Sequence, residues 1–138
     1  MTLFLADTSA WHRATAERVA LDWERHLIQG TLATCSQVRL EILFSARNLA
    51  SYEQLSAELE SLHQLPCGDD QFRRALEVQH QLARRGGLHH RSVKIADLVI
   101  AASAEAGAAV VWHYDEDFER IAEITHQPTR WVAPRGSL

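Results

Sequence analysis

Short apolar runs and longer amphipathic stretches take turns along the chain. Leu3-Phe4-Leu5-Ala6 and Ala109-Val110-Val111-Trp112-His113 are unbroken rather than alternating, the pattern of strands buried on both faces, as parallel strands are. Thr31-Leu32-Ala33-Thr34-Cys35 reads as a second short strand. His63 to Cys67 reads as an edge strand stopped by Pro66 and Gly68, and Thr129-Arg130-Trp131-Val132 as a last strand. Ser9 to His12 predicts a short helix, and Ala14 to Gln29 a longer one closed by Gly30. Further helices are predicted from Ser36 to about Asn48, over 51–62, from Asp69 or Asp70 to about Arg85, over Val93 to Ala106, and from the Asp115 region to about Ile124. Strands alternating with helices imply a three-layer α/β/α sandwich with a central, mostly parallel sheet.

Two of these helices have informative faces. In the 36–48 segment, Leu40, Leu43 and Phe44 share one side and Val38, Ile42 and Ala46 another. Gln37, Glu41, Ser45 and Asn48 form a polar stripe between them, so Glu41 is expected on a narrow polar strip of a largely buried helix. The 93–106 segment is the most apolar, yet carries Asp97 inside Ile95-Ala96-Asp97-Leu98-Val99. An acid in such a setting must be paired or desolvated.

Size and composition narrow the class. The 138 residues suit one domain, and 46% hydrophobic with 23% charged residues is ordinary for a globular protein. No apolar run approaches the roughly 20 residues of a membrane span, and no basic n-region leads a long apolar core. Cys35 and Cys67 have no metal-site spacing and suit a reducing compartment. Together these point to the cytoplasm. A net charge of −4 argues against broad affinity for nucleic acid, but leaves room for a local basic patch around an acidic site. Arg84, Arg85, His89, His90, Arg91 and Lys94 form the one concentrated basic stretch, just ahead of Asp97. Arg91 and Lys94 are its candidate phosphate contacts, a solvated helix end being the plainer reading.

The acids carry the chemistry. Asp7 and Asp115 each follow a buried strand, and parallel strands deliver both to the same sheet edge. Glu41 starts near that edge, in the helix after the second strand. Asp97 lies in the first turn of a helix leading into a parallel strand, which also starts there. Each acid alone can be a helix cap or a favourable charge at a helix N-terminus. Brought together, they repel unless a cation neutralises them. Oxygen-only donors favour Mg²⁺ or Mn²⁺, which leaves positions open for water and a phosphate oxygen. The implied enzyme is a phosphodiesterase or a related phosphoryl enzyme that works through a metal-activated water.

Asp7-Thr8-Ser9, the Leu40-Glu41 helix, Ile95-Ala96-Asp97-Leu98-Val99-Ile100-Ala101-Ala102 and His113-Tyr114-Asp115-Glu116-Asp117-Phe118 resemble, in order and spacing, the four acidic motifs of PIN-domain ribonucleases, and in combination the VapC toxins of toxin–antitoxin pairs. The ending Trp131-Val132-Ala133-Pro134-Arg135-Gly136 resembles one subset of that family. The resemblance implies a PIN-like fold with Asp7, Glu41, Asp97 and Asp115 at the catalytic centre. Asp117 would be an additional metal ligand or supporting acid, and Thr8 or Ser9 would orient Asp7 or a water. It further implies cleavage of RNA, such as tRNA or rRNA, inhibition by a VapB-type antitoxin lying over the site, and a homodimer. Which of Asp115 and Asp117 binds metal more directly stays open, as does the number of ions. An aspartyl-phosphate phosphatase is disfavoured by Ser9, where that family repeats an acid. A flap-type DNA nuclease is disfavoured by the lack of room for duplex-binding insertions, and a PIN-like module that only binds RNA or protein is the alternative.

Overall fold

The computed structural model describes residues 1–138. The chain runs β1 (Phe4–Ala6), α1 (Thr8–Trp11), α2 (Glu17–Gln29), β2 (Leu32–Thr34), α3 (Ser36–Phe44), α4 (Leu49–Glu60), β3 (His63–Gln64), α5 (Asp69–Arg84), α6 (Ile95–Ala106), β4 (Val110–His113), α7 (Asp117–Thr125) and β5 (Thr129–Trp131), with one 3-10 turn at His89–Arg91. All five strands are parallel, in the order β3-β2-β1-β4-β5. The chain winds outward from β1 through β2 to β3, then returns to the other side of β1 to place β4 and β5. The carboxyl ends of β1 and β4 therefore flank the point where the winding direction reverses, the place where open α/β sheets bind ligands.

The strands alternate their side chains between two layers of unequal size. Leu5 and Val111 face the larger core, with Cys35, Val38, Leu59, Leu98, Ile100 and Phe118 from the helices on that side. Ala6 and Trp112 face a smaller one built by Ala10, Val19, Trp23 and Val132. There Trp23 stacks on Trp112 with ring centroids 5.3 Å apart, and His26 meets the Trp112 ring at 4.8 Å. Fully burying a large apolar side chain such as Leu5 is worth ~1.5–3 kcal/mol. Gly30 closes α2 with φ +67°, a left-handed residue that glycine adopts without steric cost. At Gly107 a Cβ would lie 2.6 Å from Leu65 Cδ2, so a side chain there would oblige Leu65 to turn aside. No helix is long and apolar enough to cross a membrane.

Several expected boundaries and faces move. The helix expected from Ser36 to Asn48 ends at Phe44, where the Ser45 hydroxyl donates to the Ile42 carbonyl. Asn48 accepts from Ser51 N–H and caps α4, which starts earlier than the expected residue 51. The polar stripe on α3 is therefore shorter than expected. Leu40 and Phe44, expected on a largely buried helix, are 66% and 91% exposed, because the core takes Val38, Ile42 and Leu43. On α5 the buried line is Ala75, Val78 and Leu82, while Phe72 and Leu76 face outward. On α2, His26 completes the buried face with Val19 and Trp23, and Leu21 and Ile28 are exposed.

Candidate active site

Asp7 leaves the end of β1 with its backbone N–H bonded to the Trp112 carbonyl of β4 at 3.1 Å. Its carboxylate is 3% exposed and caps α1, accepting from Ala10 N–H at 3.0 Å. The capping role open to each acid alone is taken here by Asp7. Ser9 has a different task. Its hydroxyl donates to the Asp7 carboxylate, at 2.7 and 2.8 Å from the two oxygens, and accepts the Tyr114 N–H at 2.9 Å. One hydroxyl thus ties the end of β1 to the end of β4. Burial pushes the Asp7 carboxyl up to about 6, against the Ser9 hydroxyl and the backbone N–H groups of Ala10 and Ser9, which favour the anion; the nearby Asp115 charge adds to the rise.

Asp97, Asp115 and Asp117 form the tightest group, with one oxygen from each lying within 4.8 Å of the others. Asp97 sits in the first turn of α6 and is 6% exposed. Its Oδ2 is buried without a hydrogen-bond partner. Asp115 follows β4, and its N–H is held by Nδ1 of the buried His113 at 3.1 Å. Its Oδ1 accepts the Asp117 N–H at 2.9 Å, starting α7. Asp117 Oδ2 accepts the backbone N–H of Lys94 at 2.9 Å, which pins the start of α6 to α7. Burial, the hydrogen bond to Asp117 and the charges of Asp115 and Asp7 hold the Asp97 carboxyl well above the usual range, with Lys94 opposing. Asp117 goes the other way: burial alone would raise it, but the Lys94 N–H, Asp97 and the Lys94 ammonium hold it low. Of the pair, Asp117 ionises more readily than Asp97.

Glu41 does not join the trio. It lies across the edge on α3 and lines, with Thr8, Leu40 and Phe44, a cavity of about 440 Å³. Its Oε1 and the Thr8 hydroxyl are buried and unpartnered. Of the two residues expected to meet RNA, Arg91 is exposed on the 3-10 turn. Lys94 turns its ammonium into the acids, 2.6 Å from Asp115 Oδ2, 3.0 Å from Asp117 Oδ2 and 3.5 Å from Asp97 Oδ2. Trp11 packs edge-on against Trp23 at 4.9 Å, among core rings rather than as an open stacking platform.

Two basic residues near the site were missed from sequence. Arg120 reaches Asp117 Oδ1 and Glu116 Oε2, both at 3.4 Å; its i+3 and i+4 spacing from those acids was the available signal. Arg13 donates to the Ser9 carbonyl at 3.0 Å and lies 4.5 Å over the Tyr114 ring. Tyr114 is a hundred residues away in sequence, so nothing local pointed to that contact.

A parallel α/β sheet with buried acids collected at its topological switch point defines the class: an oxygen-donor site suited to a hard cation and an anionic ester. The PIN domain family matches residues 4–124. Ribonuclease VapC18 of Mycobacterium tuberculosis is 52% identical over 136 residues, covering 99% of each chain, and Ribonuclease VapC21 of that organism is 42% identical over 137 residues, covering 99% of this chain and 98% of its own. Among solved structures, the DNA-bound VapBC of Salmonella typhimurium superposes with a TM-score of 0.73 at 21% identity, over 96% of this chain and 100% of that one, a likeness of fold. VapBC-5 of Mycobacterium tuberculosis matches with a TM-score of 0.58 at 28% identity, over 95% and 98%. The chain belongs to the PIN-domain family, in its VapC branch.

Proposed function

We propose that this chain is a Mg²⁺- or Mn²⁺-dependent endoribonuclease, the toxin of a VapBC-type toxin–antitoxin system. The observation that carries this reading is the convergence of the Asp97, Asp115 and Asp117 carboxylates, with Asp97 Oδ2 buried and without a hydrogen bond, an arrangement that a divalent cation would neutralise. The donor set is all oxygen, which fits the two hard ions and disfavours zinc. Asp7, Asp97, Asp115 and Asp117 would hold the ion, and Glu41 with Thr8 would face the open side. When bound, such an ion supplies Lewis-acid activation for phosphodiester hydrolysis. The chain's own residues do the remaining work. Ser9 and the Ala10 N–H fix the direction of the Asp7 carboxylate. His113 and the Asp117 N–H fix Asp115. Arg91 and Arg13 at the rim are suited to phosphate contacts that position an RNA strand without reading its bases. The relatives named as ribonucleases support RNA, with tRNA and rRNA the candidate substrates.

A VapB-type antitoxin is the proposed partner, supported by the VapBC complexes among the structural matches. The exposed Leu40 and Phe44 beside Glu41 offer it apolar surface at the mouth of the site. A second exposed apolar patch, Phe72, Leu76 and Ile95 at the α5–α6 seam, supports a homodimer.

Cleavage of a total tRNA and rRNA preparation tests the reading. Activity is expected with Mg²⁺ or Mn²⁺, none in excess EDTA, and a loss of at least a hundredfold in Asp97→Asn, whose circular dichroism should match the wild type. Undiminished cleavage in EDTA, or by that variant, sinks the proposal.

A further inference from the structure

Lys94 is the single lysine of the chain. Its ammonium lies within 3.5 Å of an oxygen from each member of the trio, Asp97, Asp115 and Asp117. The thirteen arginines are placed differently: Arg120, the nearest of them to the trio by its contacts, reaches only Asp117 Oδ1 there and divides itself with Glu116 and the Ser92 carbonyl. An ammonium is a compact, strongly hydrated point charge, whereas a guanidinium is a planar fork. The chain therefore puts its one lysine ammonium against three converging carboxylates, the same oxygens that would hold a metal ion.

We propose that Lys94 is a tethered counter-ion of the acidic site, which occupies the carboxylate trio in the metal-free protein and is displaced when a divalent cation binds. This rests on the metal reading of the site given above. Two features suit the residue to being displaced. Its side chain is 65% exposed, so the ammonium can swing back into water, where hydration replaces its contacts. Its backbone is anchored separately: the Lys94 N–H to Asp117 bond and its place ahead of α6 do not depend on where the ammonium lies. Withdrawing the side chain thus leaves the bond between the start of α6 and Asp117 intact.

The arrangement has two consequences. Without metal, the ammonium lowers the negative charge of the trio by one and restrains acids that would otherwise repel across the switch point. With metal, the same ammonium competes, so the site fills at a higher divalent-ion concentration than three unblocked carboxylates would require. Lys94 thereby sets a threshold for loading the enzyme.

Calorimetric titration of Mn²⁺ into the metal-free full-length protein tests this. Lys94→Gln is expected to bind Mn²⁺ about tenfold or more tightly than the wild type, because a positive charge within 3.5 Å of an oxygen of all three carboxylates is removed. Arg120→Gln removes a cation from the same neighbourhood but from outside the trio, and should change the affinity by less than about threefold. Wild-type affinity in Lys94→Gln, or equal tightening in Arg120→Gln, overturns the role of Lys94 while leaving the metal reading intact. Absence of Mn²⁺ binding in wild type and both variants removes the metal reading, and this inference with it. Should Lys94→Gln not fold, the wild type suffices. Lysine-labelled with carbon-13, it has one labelled side chain, and Mg²⁺ should shift its ε-carbon resonance toward that of free lysine, saturating with the heat signal. A resonance that stays in place while Mg²⁺ binds overturns the proposal.

Discussion

Asp7→Asn is expected to make the metal-free protein more stable while abolishing its activity. Asp7 is 3% exposed at the end of the central strand, and burial moves its carboxyl from an ordinary 3.8 to about 6. A rise of that size is worth ~3 kcal/mol of differential interaction between the two protonation states. The folded protein holds this proton more tightly than the unfolded chain does. The stability it contributes is fully present below about pH 4, is lost as the pH rises through about 6, and is absent at neutral pH. Asparagine carries no charge to desolvate, and its Oδ1 can still accept the Ala10 N–H and the Ser9 hydroxyl that hold Asp7. The variant should therefore exceed the wild type by ~2–3 kcal/mol at pH 8 and differ little from it at pH 4. Urea unfolding in excess chelator at the two pH values reads this directly, through midpoints at unchanged slope. Saturating Mn²⁺ should reverse the order, since only the wild type gains the full binding free energy. A variant less stable than wild type at pH 8 in chelator, or a difference that does not grow with pH, would refute the reasoning.

Ser9→Ala removes both the donor to Asp7 and the acceptor of the Tyr114 N–H, and should cost ~2–4 kcal/mol in urea unfolding, with Ser9→Thr recovering most of it because the hydroxyl returns. An alanine variant within ~0.5 kcal/mol of wild type would show the bridge to be unimportant. His26 is buried among Phe4 and Trp112, and desolvation lowers its pKa, so the folded protein resists its protonation while the unfolded chain takes a proton near 6.5. Stability should be complete above that pH and decline as the pH falls below it; His26→Phe should lessen the decline in a series of thermal melts, and an identical slope would exclude His26 as its cause.

How far the sequence could be read depended on whether a residue's partners are local. The unbroken apolar runs ahead of Asp7 and Asp115 marked two parallel strands, and the acids after them marked the working edge, because strand burial and strand polarity are both written in contiguous residues. The faces of α3 were misjudged for a physical reason. Leu40 and Phe44 have the spacing of a core-facing pair, but apolar spacing does not distinguish a face buried in the fold from one left outside it. His26 was overlooked because a histidine among exposed leucines on α2 has no apolar signature, although 19, 23 and 26 have helical spacing. Lys94 was read as part of a basic stretch. Its i+3 relation to Asp97 was visible, but Asp115 and Asp117 reach it from 21 and 23 residues away through the β4–α7 turn.

Mostly local ties explain how a fold of this size tolerates so much negative charge at one edge. Three of the acids are held by donors that need no metal: Asp7 by Ser9 and the Ala10 N–H, Asp115 by the Asp117 N–H, and Asp117 by the Lys94 N–H. Most of these donors are backbone groups at helix starts, where N–H groups lack helical partners and the helix dipole favours an anion. The acids therefore complete α1, α6 and α7 while they crowd one another, and part of the cost of gathering them is offset locally. The remainder falls on the packing beneath, where β1 and β4 place Leu5, Val111 and Trp112 out of contact with water on opposite faces of the sheet. A substitution that removes charge but keeps the acceptor, such as asparagine for aspartate, should then separate the two roles: helix starts and fold persist, while affinity for the divalent ion is lost. Substitution by alanine at Asp7 removes both, so loss of activity in that variant alone does not distinguish a missing ligand from a missing cap.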